Sequence, residues 1–376
     1  MATTAPTANA QNGKQVQLAP FRAGTQPTVL ATGYVQTNTL TTATQDLPLW
    51  QIPPSNILRC IYLEVVGTTS GNSATVAFSG DGPLNIFSTV NFADAGGTSI
   101  VGSFASYALA MIQKWGGYAS NSDPRANAVY SATTGSGATG GSFTVVFRIP
   151  VEVASRTGIA SLQNQSTNSP LTLQLTLNTI AKVYSTAPTS APSVVVTARL
   201  GGYWKGSNAG ASQTPRAYGT TSYWNQASYL ALNGSVTQQL QNIGLGNPVR
   251  NLMFINYATG GARSDADFPS TIEIDFRGNK LYQTDQTLWK FLMSEAYGMT
   301  GATLDAALGL DTGVYVLPFN QDFGFEPGAE LGNGYLSTDI GDSIQLVGTW
   351  NASSSLYEII NFLAVKGATS QIQAGA

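Results

Sequence analysis

The chain has 376 residues, room for two domains of ordinary size, and its 43% hydrophobic content is enough to bury a core, which excludes a disordered chain. Only 10% of its residues are charged, against roughly 25% in an average soluble protein. The 17 Lys plus Arg and 20 Asp plus Glu leave a net charge of −3 with no basic run, which excludes a specific nucleic-acid-binding surface.

There is no His, and Cys60 is the one cysteine, so Ser-His-Asp and Cys-His nucleophile systems, a multi-thiolate zinc site and an intrachain disulfide are all excluded. Charge keeps monomers apart, and interface cores are depleted in it. A surface this poor in charge therefore favours self-assembly.

Residues 1–32 read as an irregular N-terminal arm, broken by Pro6, Pro20 and Pro27 and carrying Lys14 and Arg22 as its cations. Met1 to Gln17 lacks a basic segment followed by an apolar run, so no secretory signal is expected. No segment has the ~18 or more apolar residues of a membrane-spanning helix.

Asn56–Gly67 is β-branched and ends at a Gly/Ser/Thr turn, which predicts a strand, and Ser88–Phe92 predicts another. Phe104, Tyr107, Ala108, Met111, Ile112 and Trp115 recur at helical spacing, with Gly116-Gly117 as the stop. Phe143–Val153 reads as a strand. In Leu171–Asn178, Leu171, Leu173, Leu175 and Leu177 alternate with polar residues, the pattern of a half-buried strand. Val194–Leu200 is a further apolar run.

Residues 206–232, rich in Gly, Ser, Thr, Asn and aromatics, read as a linker. Strand signals resume at Val249–Tyr257, Thr271–Phe276, Gly313–Phe319, Ser343–Trp350 and Ile359–Lys366. A second helix is expected from Thr284 to Tyr297, with Thr284 or Asp285 as N-cap and Gly298 as C-cap. Residues 367–376 form a tail.

The order strand, helix, strand, strand, strand thus occurs twice, about 180 residues apart. The expectation is an all-β protein with short inserted helices, in two similar domains at 33–205 and 233–366.

Local motifs offer little chemistry. Gly135-Ser136-Gly137-Ala138-Thr139-Gly140 matches a dinucleotide-binding string, but a strand follows it where that fold needs a helix, so it reads as a loop. Asp265 with Asp267, and Asp322 with Glu326 and Glu330, are candidate Ca²⁺ ligands without the spacing of a calcium-binding loop. They read as solvated acidic loops, and no metal or cofactor is expected. Glu273 and Asp275 are the one pair that could pose as glycosidase carboxylates, but their alternation reads as an exposed strand face. Cys60 reads as a small core residue. Trp204, Tyr218, Tyr223, Trp224 and Tyr229 cluster around the linker, either as a glycan platform or, preferred here, as contacts pinning the linker to the domains or to a neighbouring subunit.

Two β domains in tandem, each with a helix at the same point, resemble the double jelly-roll major capsid proteins of the tectivirus–adenovirus lineage. Gly82-Pro83-Leu84-Asn85-Ile86, Arg148-Ile149-Pro150-Val151-Glu152 with Gly158–Asn164, and the Leu171–Asn178 strand are similar to tectivirus-type coat proteins of membrane-containing icosahedral bacteriophages.

The resemblance implies two tandem jelly-roll β-sandwich domains and a non-enzymatic subunit without cofactor. It implies a homotrimer in which six rolls form a pseudo-hexagonal tile, tiles paving an icosahedral virion shell, and assembly in the host cytoplasm. Minor capsid, vertex or membrane proteins and an internal lipid membrane are the implied further partners, with Lys14 and Arg22 of the arm on the inner face. The alternative expectation is a virion spike or carbohydrate-binding β-sandwich module.

Overall fold

The computed structural model describes residues 25–70, 72–118, 125, 127–153, 158–164, 166–204, 220–240, 245–296, 311–319 and 335–365. The first half runs β1 (Gln26–Thr39), β2 (Gln45–Asp46), β3 (Trp50–Gln51), β4 (Ser55–Thr68), β5 (Asn72–Phe78), β6 (Phe87–Ala93), β7 (Ser99–Phe104) and α1 (Ser106–Trp115). It continues through β8 (Ser131–Ala132), β9 (Gly135–Gly137), β10 (Phe143–Pro150), β11 (Leu162–Asn164), β12 (Thr172–Leu177), α2 (Ile180–Val183), β13 (Tyr184–Thr186) and β14 (Ser193–Trp204). The second half is β15 (Thr220–Gln239), β16 (Val249–Ala258), β17 (Thr271–Phe276), β18 (Asn279–Asp285), α3 (Gln286–Ala296), β19 (Val314–Pro318) and β20 (Ile344–Val365).

In the first half one sheet has the order β1-β14-β4-β10-β8, and the facing strands run β2-β12-β6-β7. Chain order and sheet order interleave as in a jelly roll: the chain crosses between two packed sheets rather than winding along one. The second half repeats the scheme with longer strands. There β15 pairs with β20 along both of its stretches, β16 joins β20 to β19 in one sheet, and β17 joins β20 to β18 in the other. β15 does the work of β1 and β2/β3, and β20 that of β12 and β14. The chain is a double jelly roll, and the repeat expected from the sequence is present: β6 corresponds to β17, α1 to α3 and β10 to β19.

Alternation explains the sandwich cores. Leu173, Leu175 and Leu177 of β12 are fully buried, as are Ile272 and Ile274 of β17, while their polar neighbours face outward. Helix α1 ends where the glycines predict: the Gly116 N–H donates to the Ile112 carbonyl at 2.8 Å, and Gly117 adopts φ 78°, which a side chain would resist. Helix α3 is capped by Asp285, whose Oδ1 accepts the Leu288 N–H at 2.8 Å. Gly298 lies outside the described residues. Gly135–Gly137 forms a short strand against β5, and no helix follows it.

Two sequence boundaries need correction. Residues 26–32, read as arm, belong to β1; Pro27 is compatible with a strand there because β1 is a sheet edge, where a missing N–H leaves no ladder bond unmade. Residues 220–232, read as linker, belong to the twenty-residue strand β15. That strand bends between the two sheets of its roll: its register shifts between Tyr229 and Leu232 and again before Gly234, with Ala231 at φ 59° and Gly234 at φ 74°.

Candidate assembly surfaces

The two rolls meet along α1. Every residue of this helix except Gln113 is buried, including Lys114. Lys114 Nζ donates to both carboxylate oxygens of Asp311, at 2.9 and 2.7 Å, and lies 4.8 Å from the centre of the Trp115 ring.

At the helix C-terminus the last carbonyls lack intrahelical partners. The second roll supplies them: Asn251 Nδ2 donates to the Trp115 carbonyl at 3.1 Å, and Arg250 Nη2 to the Gly116 carbonyl at 3.0 Å. Two turns toward the N-terminus, the Arg263 guanidinium stacks over Tyr107 at 4.5 Å and pairs with Asp81 at 2.6 Å, which also accepts from the Tyr257 hydroxyl. Burial holds the Tyr107 and Tyr257 hydroxyls well above their usual titration range. A backbone pair reinforces this joint: Trp224 of β15 bridges Val101 of β7 in parallel, which makes one continuous sheet from strands of both rolls. A cleft of about 870 Å³ remains beside it, walled by Asp81, Asn178 and Lys182 of the first roll and Tyr257, Arg263 and Tyr357 of the second.

These joint residues were not singled out from the sequence. Lys114 carried one signal, since it lies seven residues from Tyr107 on the face that the helical pattern marks as apolar.

The aromatic cluster expected around the linker divides. Trp224 is fully buried at the roll-to-roll joint, and Tyr223 stacks on Phe362 with ring centres 5.2 Å apart. Tyr229 is buried and donates its hydroxyl to Glu358 Oε2 at 2.6 Å. Burial pushes the Glu358 carboxyl up to about 7 despite this bond. Trp204 alone of the four described stands in solvent, 52% exposed. Tyr218, Lys14, Arg22, Asp322, Glu326 and Glu330 lie outside the described residues.

The remaining acidic candidates hold structure rather than ligand. Asp265 Oδ1 accepts the Gly313 N–H at 2.8 Å and the Tyr315 hydroxyl at 2.7 Å, with Lys290 Nζ at 3.3 Å, so protein donors already occupy it. The side chain of Asp267 is not brought into a group of three metal-ligating residues; among the described residues there is none. Glu273 pairs with Lys280 at 2.5 Å, and desolvation and the neighbouring Glu273 raise the Asp275 carboxyl. Lys280 thus already holds one member of the pair. Cys60 is buried in β4, and burial raises its thiol.

Twelve large apolar side chains are exposed among the described residues, and seven of them gather in two places. Val29, Leu30 and Val35 lie on the edge strand β1, with Trp204 at the adjoining end of β14, where it pairs with Gln26. Leu281 lies on the edge strand β18, and Leu288 and Phe291 are one turn apart on α3. Apolar surface concentrated in this way marks contact with other protein.

No protein-family model and no curated protein matches the sequence. Solved structures do match the fold. The major capsid protein of Sulfolobus turreted icosahedral virus matches with a TM-score of 0.59 at 14% identity, covering 92% of this chain and 100% of that one. The capsid of the virus PBCV-1 gives 0.57 at 11% identity, covering 91% and 97%, and the major capsid protein of bacteriophage PM2 gives 0.53 at 9%, covering 92% and 99%. The likeness runs through both rolls.

Proposed function

We propose that this chain is the major capsid protein of an icosahedral virus, a structural subunit without catalytic chemistry that assembles as homotrimers and then as a shell of trimers around the genome. The observation that carries the reading is the pairing of a buried roll-to-roll joint with two apolar patches on edge elements that are exposed among the described residues. That the matching structures are capsid proteins along their whole length supports the same reading.

In this assignment the rolls divide near the sequence-based limits, 33–205 and 233–366, extended back to Gln26 and Thr220 by β1 and β15. The arm with Lys14 and Arg22 lies on the inner side of the shell, where minor capsid, vertex or membrane proteins, and an internal membrane where one is present, are its neighbours. Virions are the site of function and the host cytoplasm the site of assembly. A glycan-binding module finds less support, because Trp224 and Tyr229 are interior and cannot form a platform with Trp204.

The test is light scattering on the purified protein with negative-stain imaging of the same fractions. A particle of three times 39.3 kDa with a hexagonal outline is expected. A stable monomer at high concentration would overturn the reading.

A further inference from the structure

The cleft beside the roll-to-roll joint has the dimensions of a binding site. Its volume of about 870 Å³ is that of a small-ligand pocket, and it lies between two domains, where such pockets concentrate. Segments 79–81 and 181–185 of the first roll form one wall, and segment 257–263 of the second roll forms the other. The joint fixes the distance between them, because Arg263 of one wall pairs with Asp81 of the other at 2.6 Å. A site whose walls are set before the ligand arrives loses little to ordering on binding.

The wall chemistry selects the ligand. Seven Ser and Thr hydroxyls and three side-chain amides line the cleft, and three side chains carry charge. Two of those charges are engaged with each other. Arg263 donates Nε to Asp81 Oδ1 and Nη1 to the Thr312 carbonyl at 2.7 Å, with its face over Tyr107, while Asp81 Oδ2 accepts from the Tyr257 hydroxyl. Lys182 is the third. It is exposed and makes no ion pair among the described residues. Its Nζ stands 3.7 Å from the place a Cβ on Gly261 would take, so it reaches across to the opposite wall. The side-chain hydroxyls of Ser103, Thr312, Ser355 and Tyr357, which also line the cleft, make no hydrogen bond among the described residues.

An apolar ligand does not suit these walls, since it would bury the hydroxyls unpaired. The largest apolar side chains of the lining, Phe104 and Ile255, are each only 2% exposed and offer it little surface. A polyphosphate does not suit them either: it calls for several cations or an open guanidinium fork, and the one guanidinium here is already engaged. A ligand rich in hydroxyl groups fits, because each can donate and accept as the wall hydroxyls do. Tyr357 adds an amphipathic ring, and Lys182 adds a partner for one carboxylate.

We propose that this cleft binds a short oligosaccharide carrying a carboxylate, with the carboxylate on Lys182 and sugar hydroxyls on Ser103, Thr312, Ser355 and Tyr357. Sialylated and uronic-acid glycans share this chemistry. The site is distinct from Trp204: segment 181–185 lies before the start of the twelve-residue strand β14, and Trp204 closes its far end. The cleft is formed within one chain, so the inference goes beyond the shell reading and does not depend on oligomeric state.

The experiment is binding of the purified full chain to an array of immobilised sialylated, uronic-acid and neutral glycans, repeated with K182M, G260W and W204A. Gly260 lines the cleft without a positive φ, and a Cβ there meets nothing within 4 Å, so a Trp at this position fills the cleft without straining the fold. Circular dichroism of each variant checks that the fold is kept. The expected result is signal on carboxylated glycans, with the sialylated and uronic-acid spots telling the two sources apart. That signal is expected to fall by about tenfold or more in K182M and in G260W, the size of one lost charge-assisted hydrogen bond, and to stay unchanged in W204A. Silence across the array, or signal that K182M or G260W leaves unchanged, would overturn the proposal. Signal lost in W204A and kept in G260W would overturn it too, by moving the glycan to Trp204. None of these outcomes touches the shell reading, which light scattering tests separately.

Discussion

Helices α1 and α3 hold the same place in the two rolls, each directly after the partner of an inner strand, β7 beside β6 and β18 beside β17, yet they are built for different surroundings. In α1 even the lysine is buried, and its last two carbonyls are satisfied by Asn251 and Arg250 from the other roll. In α3, Trp289 and Met293 are the fully buried side chains among those described, and Trp289 donates its ring N–H to the Val316 carbonyl at 2.8 Å. The opposite stripe carries Leu288, Phe291 and Glu295 in solvent. A joint formed once, within the folding chain, can bury an ion pair and rely on the chain to hold its partners in place. A surface left exposed in the folded chain has to stay tolerable in water, and the few apolar side chains on α3 meet that need.

The comparison can be broken most severely at Lys114. Replacing it with Met removes both hydrogen bonds that Lys114 gives to the Asp311 carboxylate, which is 3% exposed, and breaking such a buried pair costs about 3–5 kcal/mol. Urea denaturation of K114M is expected to show a loss of that size, and K114M/D311L to recover much of it, since an apolar pair of similar volume is often no worse than the ion pair. In α3 the equivalent large loss belongs to the inward face. W289A, which empties a site enclosed by Phe254, Tyr282 and Tyr315, is expected to cost about 3–5 kcal/mol in the same assay.

A pH-dependent difference comes next, from Glu358 in the second roll. Its carboxyl is raised from 4.5 to about 7 by burial, so the folded state holds this proton more tightly than the unfolded chain does. The stabilisation is fully present below about pH 4.5, is lost as pH rises toward 7, and is absent above it; a shift of this size corresponds to ~3 kcal/mol. E358Q is expected to match the wild-type melting temperature near pH 5 and exceed it by several degrees at pH 8. Equal melting temperatures at both values would show that Glu358 titrates normally. The smallest effect is expected at Leu288: L288S should change the stability of the chain by less than about 0.5 kcal/mol, because the side chain already stands in water.

Much of this architecture was legible in the sequence. Leu171–Asn178 and Thr271–Phe276 announced themselves by alternation, α1 by its spacing and its two terminal glycines, and α3 by the Asp285 cap. The order of these elements disclosed the repeat.

What escaped has a common cause. Strand β15, Thr220–Gln239, mixes polar and aromatic residues because its two stretches serve two sheets and its edge meets a strand of the other roll, so no single period survives along it. The roll-to-roll joint escaped because its partners are distant: Lys114 and Asp311 are 197 residues apart, and nothing local to either residue names the other. The exposed patches escaped for the opposite reason. Val29 and Phe291 look like core residues in a sequence, and only the folded topology shows that nothing among the described residues covers them.

The most direct test of the central claim is a cryo-electron reconstruction of the purified oligomer at a resolution that traces strands. A ring of six rolls from three chains is expected. A two-fold dimer, or a monomer at every concentration tested, would contradict the reading.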